Sequence, residues 1–254
     1  MNPADIYEER FVPALFGLWG ERIAAVADIA PGQRCLDVAC GTGALTRAVV
    51  ARAGDPSLVV GLDAQPEMLD VARRAVPGVR WVEGDATALS FEDGSFDRSV
   101  SQFGLMFVDD PGRALAELRR VTRPGGRVVA ATCAAVERSP AYAVLTEVLH
   151  RLFGPTIAES FRAPFALGTE AQWQAIANDV SIPADVVQLD GEVRFPSIEA
   201  LIEAERACAW TLGGLLDDDQ FVALVKAAEP ALRPFLKDGM LRFSMPAIVV
   251  TVTP

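Results

Sequence analysis

Histidine is almost absent from this sequence: His150 is the only one in 254 residues. The four cysteines, Cys35, Cys40, Cys133 and Cys208, form no CxxC pair. A zinc site needs clustered thiolate and imidazole ligands, so metal catalysis of that kind is excluded early. Scattered thiols read instead as small core residues of a protein kept in a reducing cytoplasm. Positive charge is also scarce, with 23 Lys+Arg against 34 Asp+Glu and a formal net charge of −11. Phosphate backbones are held by stripes of Lys and Arg, which makes nucleic acid a poor partner here. No uncharged run approaches the ~20 residues of a membrane span. Asp5, Glu8, Glu9, Arg10 and Pro13 break up the first apolar stretch, where a secretory signal needs a basic start and a clean apolar run.

What is present is a chain that folds. With 51% apolar and 22% charged residues it can build a full core, and disorder is excluded as its main state. A chain of this length buries roughly 75% of its extended surface on folding, so no disulfide or metal is needed to hold it. The first half alternates strands and helices. Arg34–Cys40, Leu58–Asp63, Val79–Glu83, Phe96–Gln102 and Arg127–Thr132 read as strands. Ala44–Ala53, Pro66–Ala75 and Gly112–Val121 read as the helices between them, and Pro124-Gly125-Gly126 as a break. That rhythm implies a parallel sheet with helices on both faces, whose ligands sit beyond the carboxyl ends of the strands. From Glu137 to about Pro183 the pattern is helical with loose joints; Asp185–Phe195 and Met240–Val252 read as strands, and Ser197–Ala207 and Asp217–Ala228 as capped helices. There is no internal repeat.

The stretch Leu36-Asp37-Val38-Ala39-Cys40-Gly41-Thr42-Gly43 runs from a strand into a Gly-x-Gly turn and on to a helix. Such a turn lets the backbone approach a ligand closely, with helix-start N–H groups pointing at it. The third glycine of the dinucleotide fingerprint is missing, because position 46 is threonine. Asp37 just before the turn disfavours a pyrophosphate and favours an ammonium or sulfonium. Asp63 closes the second strand, where an acceptor-only carboxylate suits both hydroxyls of a ribose. Asp85, in Glu83-Gly84-Asp85-Ala86, follows the third strand. It suits an exocyclic amine of a base, with the Ala86 N–H donating to a ring nitrogen. Three carboxylates at successive strand ends converge on one rim.

LDVACGTG, LD, EGDA, FDRSVSQFGLMF and LRRVTRPGGRVV, in that order, resemble the motifs of the class I S-adenosylmethionine-dependent methyltransferases, nearest to the ubiquinone- and menaquinone-biosynthesis group. The resemblance covers about residues 5 to 132. It implies an α/β, Rossmann-like seven-stranded sheet in the order 3-2-1-4-5-7-6, the last strand antiparallel, with helices on both faces and a helical insertion after strand five. Within a single domain over 1–254 it suggests an N-terminal helical lid over 1–30, a cofactor-binding core over 31–136, a helical substrate cover over 137–183, and the remaining strands and helices over 184–254. It implies S-adenosyl-L-methionine as cofactor. By position, Gly41 and Gly43 hold its methionyl part with Asp37 behind them; Asp63 takes the ribose; Ala64 and Met68 border the adenine; Asp85 and Ala86 bind the adenine edge. Gln102 and Phe103 lie beside the transferred methyl, and Tyr7 resembles a tyrosine that closes over the cofactor.

Plainer readings stand beside these. Each aspartate alone reads equally as a helix cap or turn residue. Asp97 lies at the wrong end of its strand and reads as structural. Cys40 reads as a packed residue, Tyr7 and Phe11 as a staple onto the core. Phe153, Phe161, Phe165, Trp173 and Trp210 read as core, with some free to line a pocket. Asp217-Asp218-Asp219 reads as a solvated helix start.

Methyl transfer from a sulfonium is an in-line displacement with an already activated leaving group, so the protein mainly positions the nucleophile and excludes water. No acid–base motif is required. His150 is the sole conventional candidate base near neutral pH. Strand four ends in Ser101-Gln102-Phe103-Gly104, without the Asn/Asp-Pro-Pro-Tyr/Phe pattern of enzymes that methylate base amino groups. The expected partner is therefore a small hydrophobic or aromatic acceptor methylated at O or C, with homodimerisation left open. The rival readings are a non-catalytic S-adenosylmethionine-binding protein and a nucleotide-cofactor oxidoreductase.

Overall fold

The computed structural model describes residues 3–208 and 211–254. Ten strands are described: β1 (Cys35–Val38), β2 (Val59–Asp63), β3 (Arg80–Glu83), β4 (Phe96–Gln102), β5 (Thr122–Cys133), β6 (Asp185–Leu189), β7 (Glu192–Phe195), β8 (Leu236–Lys237), β9 (Met240–Ser244) and β10 (Ala247–Val252). Seven of them form one sheet in the order β3-β2-β1-β4-β5-β10-β6. The β1–β5 ladders are parallel, and β10 runs antiparallel to both neighbours. This is the expected Rossmann-like topology.

The sheet's two faces carry two apolar layers. Side chains alternate across a strand, so Cys35 joins the layer under the N-terminal helices and the Ala44–Ala53 helix, while Leu36 and Val38 join the layer under the Pro111–Val121 helix. β1 is buried throughout, as a central parallel strand covered on both faces must be. Its neighbour β2 is buried throughout as well. No helix among the described residues is long and apolar enough to cross a membrane.

The structure differs from the sequence reading in three places. Pro124-Gly125-Gly126 does not break the chain before strand five but lies inside β5, which starts at Thr122. The β4–β5 register shifts between Phe96 and Arg98, and the strand bulges. Gly125 adopts φ 72° and donates to the Pro254 carbonyl, and a Cβ on Gly126 would stand 2.7 Å from the Asp97 carbonyl oxygen. Asp185–Phe195 is two strands rather than one, and so is Met240–Val252. The first passes from the main sheet into a three-stranded sheet ordered β7-β9-β8, and the second passes from that sheet into the main one. The two corners are tied by Met245 N–H donating to Gly191 O at 2.9 Å. Pro246 follows at once, so the chain bends where a ladder donor is missing.

The helical region after β5 also divides. Pro140–Phe153 and Pro155–Arg162 lie over the strand ends, with Tyr142 and Phe161 in the first apolar layer. Glu170–Asp179 packs on the other face, where Trp173 is fully buried and its indole N–H donates to Thr132 Oγ1 at 2.8 Å.

Candidate active site

β1 delivers the chain into the middle of the sheet's carboxyl edge. Beyond Val38 the backbone turns through Ala39 (φ 54°), Gly41 (φ 55°) and Gly43 (φ 85°), and Gly43 begins the Ala44–Ala53 helix. Glycine adopts positive φ at no steric cost, whereas Ala39 carries strain of order 1–3 kcal/mol. A close neighbour holds that strain in place. Gly104 lies so near that a Cβ on it would stand 2.3 Å from the Ala39 Cβ. Phe103, at the end of β4, is also held at positive φ (55°), with its N–H donating to Ala131 O at 2.7 Å. Two strained non-glycine residues therefore flank one opening, the pattern expected where packing over-determines a ligand site.

Two of the three rim carboxylates are buried beside the turn and one is exposed. Asp37 is fully buried; Oδ2 accepts from Thr46 Oγ1 at 2.6 Å and Oδ1 has no partner among the described residues. Burial, opposed by the Thr46 hydrogen bond, pushes its carboxyl up to about 7. The threonine that spoils the dinucleotide fingerprint thus supports Asp37. Asp63 ends β2 and bridges into the turn: Oδ2 accepts from Gly41 N–H at 2.7 Å and Oδ1 from Gln65 N–H at 2.9 Å. Burial raises its carboxyl as well, against those backbone donors. Asp85 is exposed, and Oδ1 accepts from both the N–H and the hydroxyl of Thr87 at 2.8 Å, which hold its carboxyl below the usual range.

All three carboxylates line one cavity of about 270 Å³, together with Tyr7, Gly41, Ala64, Met68, Ala86, Gln102 and Phe103. Of the candidate cofactor-binding and catalytic residues, two do not line it. Gly43 sits behind the turn as the helix cap, where a Cβ would come within 3.0 Å of Trp81. His150 is exposed in the last turn of Pro140–Phe153, and the fold does not bring it to the cavity. Gln102 Nε2 donates to Phe16 O at 2.9 Å, while its Oε1 is buried without a partner among the described residues. Tyr7 belongs to the unusual π-helical stretch Tyr7–Phe16 and stacks on Phe16 at 5.0 Å; Phe16 in turn lies 5.6 Å from the Phe103 ring. Asp97 lies at the opposite strand end, holding Arg34 N–H and the Arg123 guanidinium. Cys40 lines the cavity, but burial and the neighbouring aspartates push its thiol far up, away from nucleophilic thiolate.

The same cavity also has an aromatic part. Tyr142, Phe161 and Phe165 line it, with Tyr142 lying 5.8 Å and 5.6 Å from the other two rings. Phe153 packs at the edge of the core instead, and Trp210 lies outside the described residues. Glu205, on the Ile198–Ala207 helix, is the residue that sequence reasoning missed. It is 2% exposed, lines this half, and accepts from Thr211 Oγ1 at 2.6 Å and from the Tyr142 hydroxyl. Burial pushes its carboxyl up to about 7 against both donors. The signal was available: Ile198, Leu201, Ile202 and Glu205 stand at i, i+3, i+4 and i+7, placing a carboxylate on an apolar stripe.

Comparison with known proteins gives this geometry a context. Residues 36–130 match the family described as "Methyltransferase domain". A demethylmenaquinone methyltransferase of Renibacterium salmoninarum is 42% identical over 140 residues, covering 55% of this chain and 57% of that protein. The chain thus spans little more than half the length of that curated relative. Among solved structures, Haemonchus contortus phosphoethanolamine N-methyltransferase 2, in complex with phosphomonomethylethanolamine and S-adenosylhomocysteine, superimposes with a TM-score of 0.58 at 19% identity, covering 92% of this chain and 52% of that one. The [4+2]-cyclase SpnF gives 0.56 at 18% identity, covering 94% and 81%. Likeness at these identities speaks for the fold.

Proposed function

We propose, from the match of residues 36–130 to the methyltransferase-domain family and the likeness to a demethylmenaquinone methyltransferase, that this chain transfers the methyl group of S-adenosylmethionine to a small hydrophobic or aromatic acceptor, at oxygen or carbon. The observation that carries this reading is the unpartnered Asp37 Oδ1 in a cavity ringed by Asp63, Asp85 and the Gly41 turn. An unsatisfied buried carboxylate oxygen costs stability unless a cation or donor meets it, and the ammonium and sulfonium of the cofactor fit that need. A Cβ on Gly41 would meet nothing within 4 Å, leaving open space for the methionyl part beside it.

In this reading Gly41 and Gly43 shape the turn, and Asp37 faces the cationic end. Asp63 accepts from the ribose hydroxyls with the lone pairs that Gly41 and Gln65 leave free. Ala64 and Met68 flank the adenine, and Asp85 and Ala86 meet its edge. Phe103 and Gln102 divide the cofactor half from the acceptor half, while Tyr7 covers the opening. The bound cofactor supplies a methyl group on an already activated leaving group. The chain's own work is to orient the acceptor and exclude water. The aromatic half favours an apolar ring, and the negative charge disfavours nucleic acid. His150 has no part in this reading. Incubation with methyl-deuterated S-adenosylmethionine and a panel of phenols and quinols tests it: acceptors should gain one labelled methyl group. No labelled product from any acceptor, although S-adenosylhomocysteine binds, would leave a binding protein rather than an enzyme.

A further inference from the structure

The methyl-transfer reading leaves one built feature of the cavity unused. Glu205 is a carboxylate buried among aromatic rings in the half away from the rim. Among the described residues, the groups that face it are hydroxyls and thiols: Tyr142 from the Pro140–Phe153 helix, Thr211 from the following loop, Cys133 from β5, and Cys208 beside Tyr142. Among the described residues no arginine or lysine forms an ion pair with it. A core carboxylate kept only for packing is normally neutralised by a cation or removed from any opening. This one has two neutral donors and lines the cavity.

We propose that Glu205 is the acceptor-side base, taking the proton of a hydroxyl on a phenol- or enol-type acceptor while Tyr142 and Thr211 hold its carboxylate in place. This rests on the methyl-transfer reading and narrows its substrate class. In the step, the acceptor O–H bond breaks and its proton passes to a Glu205 oxygen. The electron pair stays on the acceptor, as an oxygen nucleophile or delocalised onto the ring carbon. The bound cofactor supplies the methyl group, its C–S electron pair remaining on sulfur as a neutral thioether. Glu205 afterwards returns its proton to water. A base is most useful when its proton affinity lies near the working pH, and burial has raised this carboxyl to about 7. Both tyrosines of the chain, Tyr7 and Tyr142, line the same cavity.

The test compares binding of naphthol and of methoxynaphthalene by calorimetry, which needs no turnover. The protein should bind naphthol at least about tenfold tighter, and Glu205→Gln should bring the two within about twofold. S-adenosylhomocysteine should still bind the variant. Thr211→Val removes a donor that holds the carboxyl down, so it should move the pH midpoint of the naphthol preference upward, a shift that a merely structural residue would not produce. If Glu205→Gln keeps both its S-adenosylhomocysteine affinity and the naphthol preference, the inference is overturned and the methyl-transfer reading stands. If Glu205→Gln fails to fold, Thr211→Val decides, and an unmoved midpoint overturns the inference. Failure of the unaltered protein to bind S-adenosylhomocysteine would instead remove the reading beneath it.

Discussion

The two halves of the cavity are built by different means. The rim proposed for the cofactor is made mainly of backbone: a glycine turn, two non-glycine residues at positive φ, and Asp63 locked by main-chain N–H groups. The acceptor-side half is made of side chains, mostly rings, around one buried carboxylate. A backbone site is rigid and tied to its spacing in the chain. A side-chain site can be rebuilt by substitution while the fold stays the same, which suits a part that sets substrate choice.

Substitutions should separate the halves, and the largest effect belongs to the rim. Asp63→Ala removes the acceptor for both Gly41 and Gln65 N–H. S-adenosylhomocysteine affinity by calorimetry should fall roughly a hundredfold, the equivalent of about 3 kcal/mol, with naphthol binding little changed. Gly41→Ala should cost about tenfold in the same titration, because its Cβ would enter the open space assigned to the methionyl part. Equal losses on both ligands would erase the distinction drawn between the halves.

The pH dependence of stability sharpens it further. Asp37 and Glu205 both have carboxyls raised to about 7 in the fold. The folded protein therefore keeps protons that the unfolded chain releases at ordinary carboxylate values. The associated stability is fully present below those values and is lost as pH rises toward about 7. The thermal midpoint of the ligand-free protein should fall from about pH 5 to about pH 8. Asp37→Asn should flatten part of that slope while weakening S-adenosylhomocysteine, and Glu205→Gln should flatten another part without weakening it. The smallest effect is expected at His150, which is exposed: His150→Ala should leave methyl-transfer turnover within about twofold.

The sequence made the rim legible because its residues are consecutive with their elements. LDVACGTG, Asp63 and the Glu83–Ala86 segment each sit at a strand end, and a parallel sheet brings strand ends together whatever else the chain does. The acceptor half was hidden for the opposite reason. Tyr142, Phe161 and Glu205 come from three separate helices, whose meeting depends on tertiary packing. The one overlooked cue was Glu205 on an apolar helical stripe. The second sheet was missed because periodicity does not show where a strand changes sheets. Asp185–Phe195 and Met240–Val252 read as unbroken strands, but the Gly191 and Pro246 corners divide them. Pro124-Gly125-Gly126 reads as a break by composition, while the sheet absorbs it as a bulge.

The most direct test of the division of labour is a crystal structure with S-adenosylhomocysteine and a naphthol bound together. The account predicts the amino group of S-adenosylhomocysteine on Asp37 Oδ1, its ribose on Asp63, and the naphthol hydroxyl on Glu205 across Phe103. A ligand seated elsewhere, with Asp37 and Asp63 untouched, would contradict it.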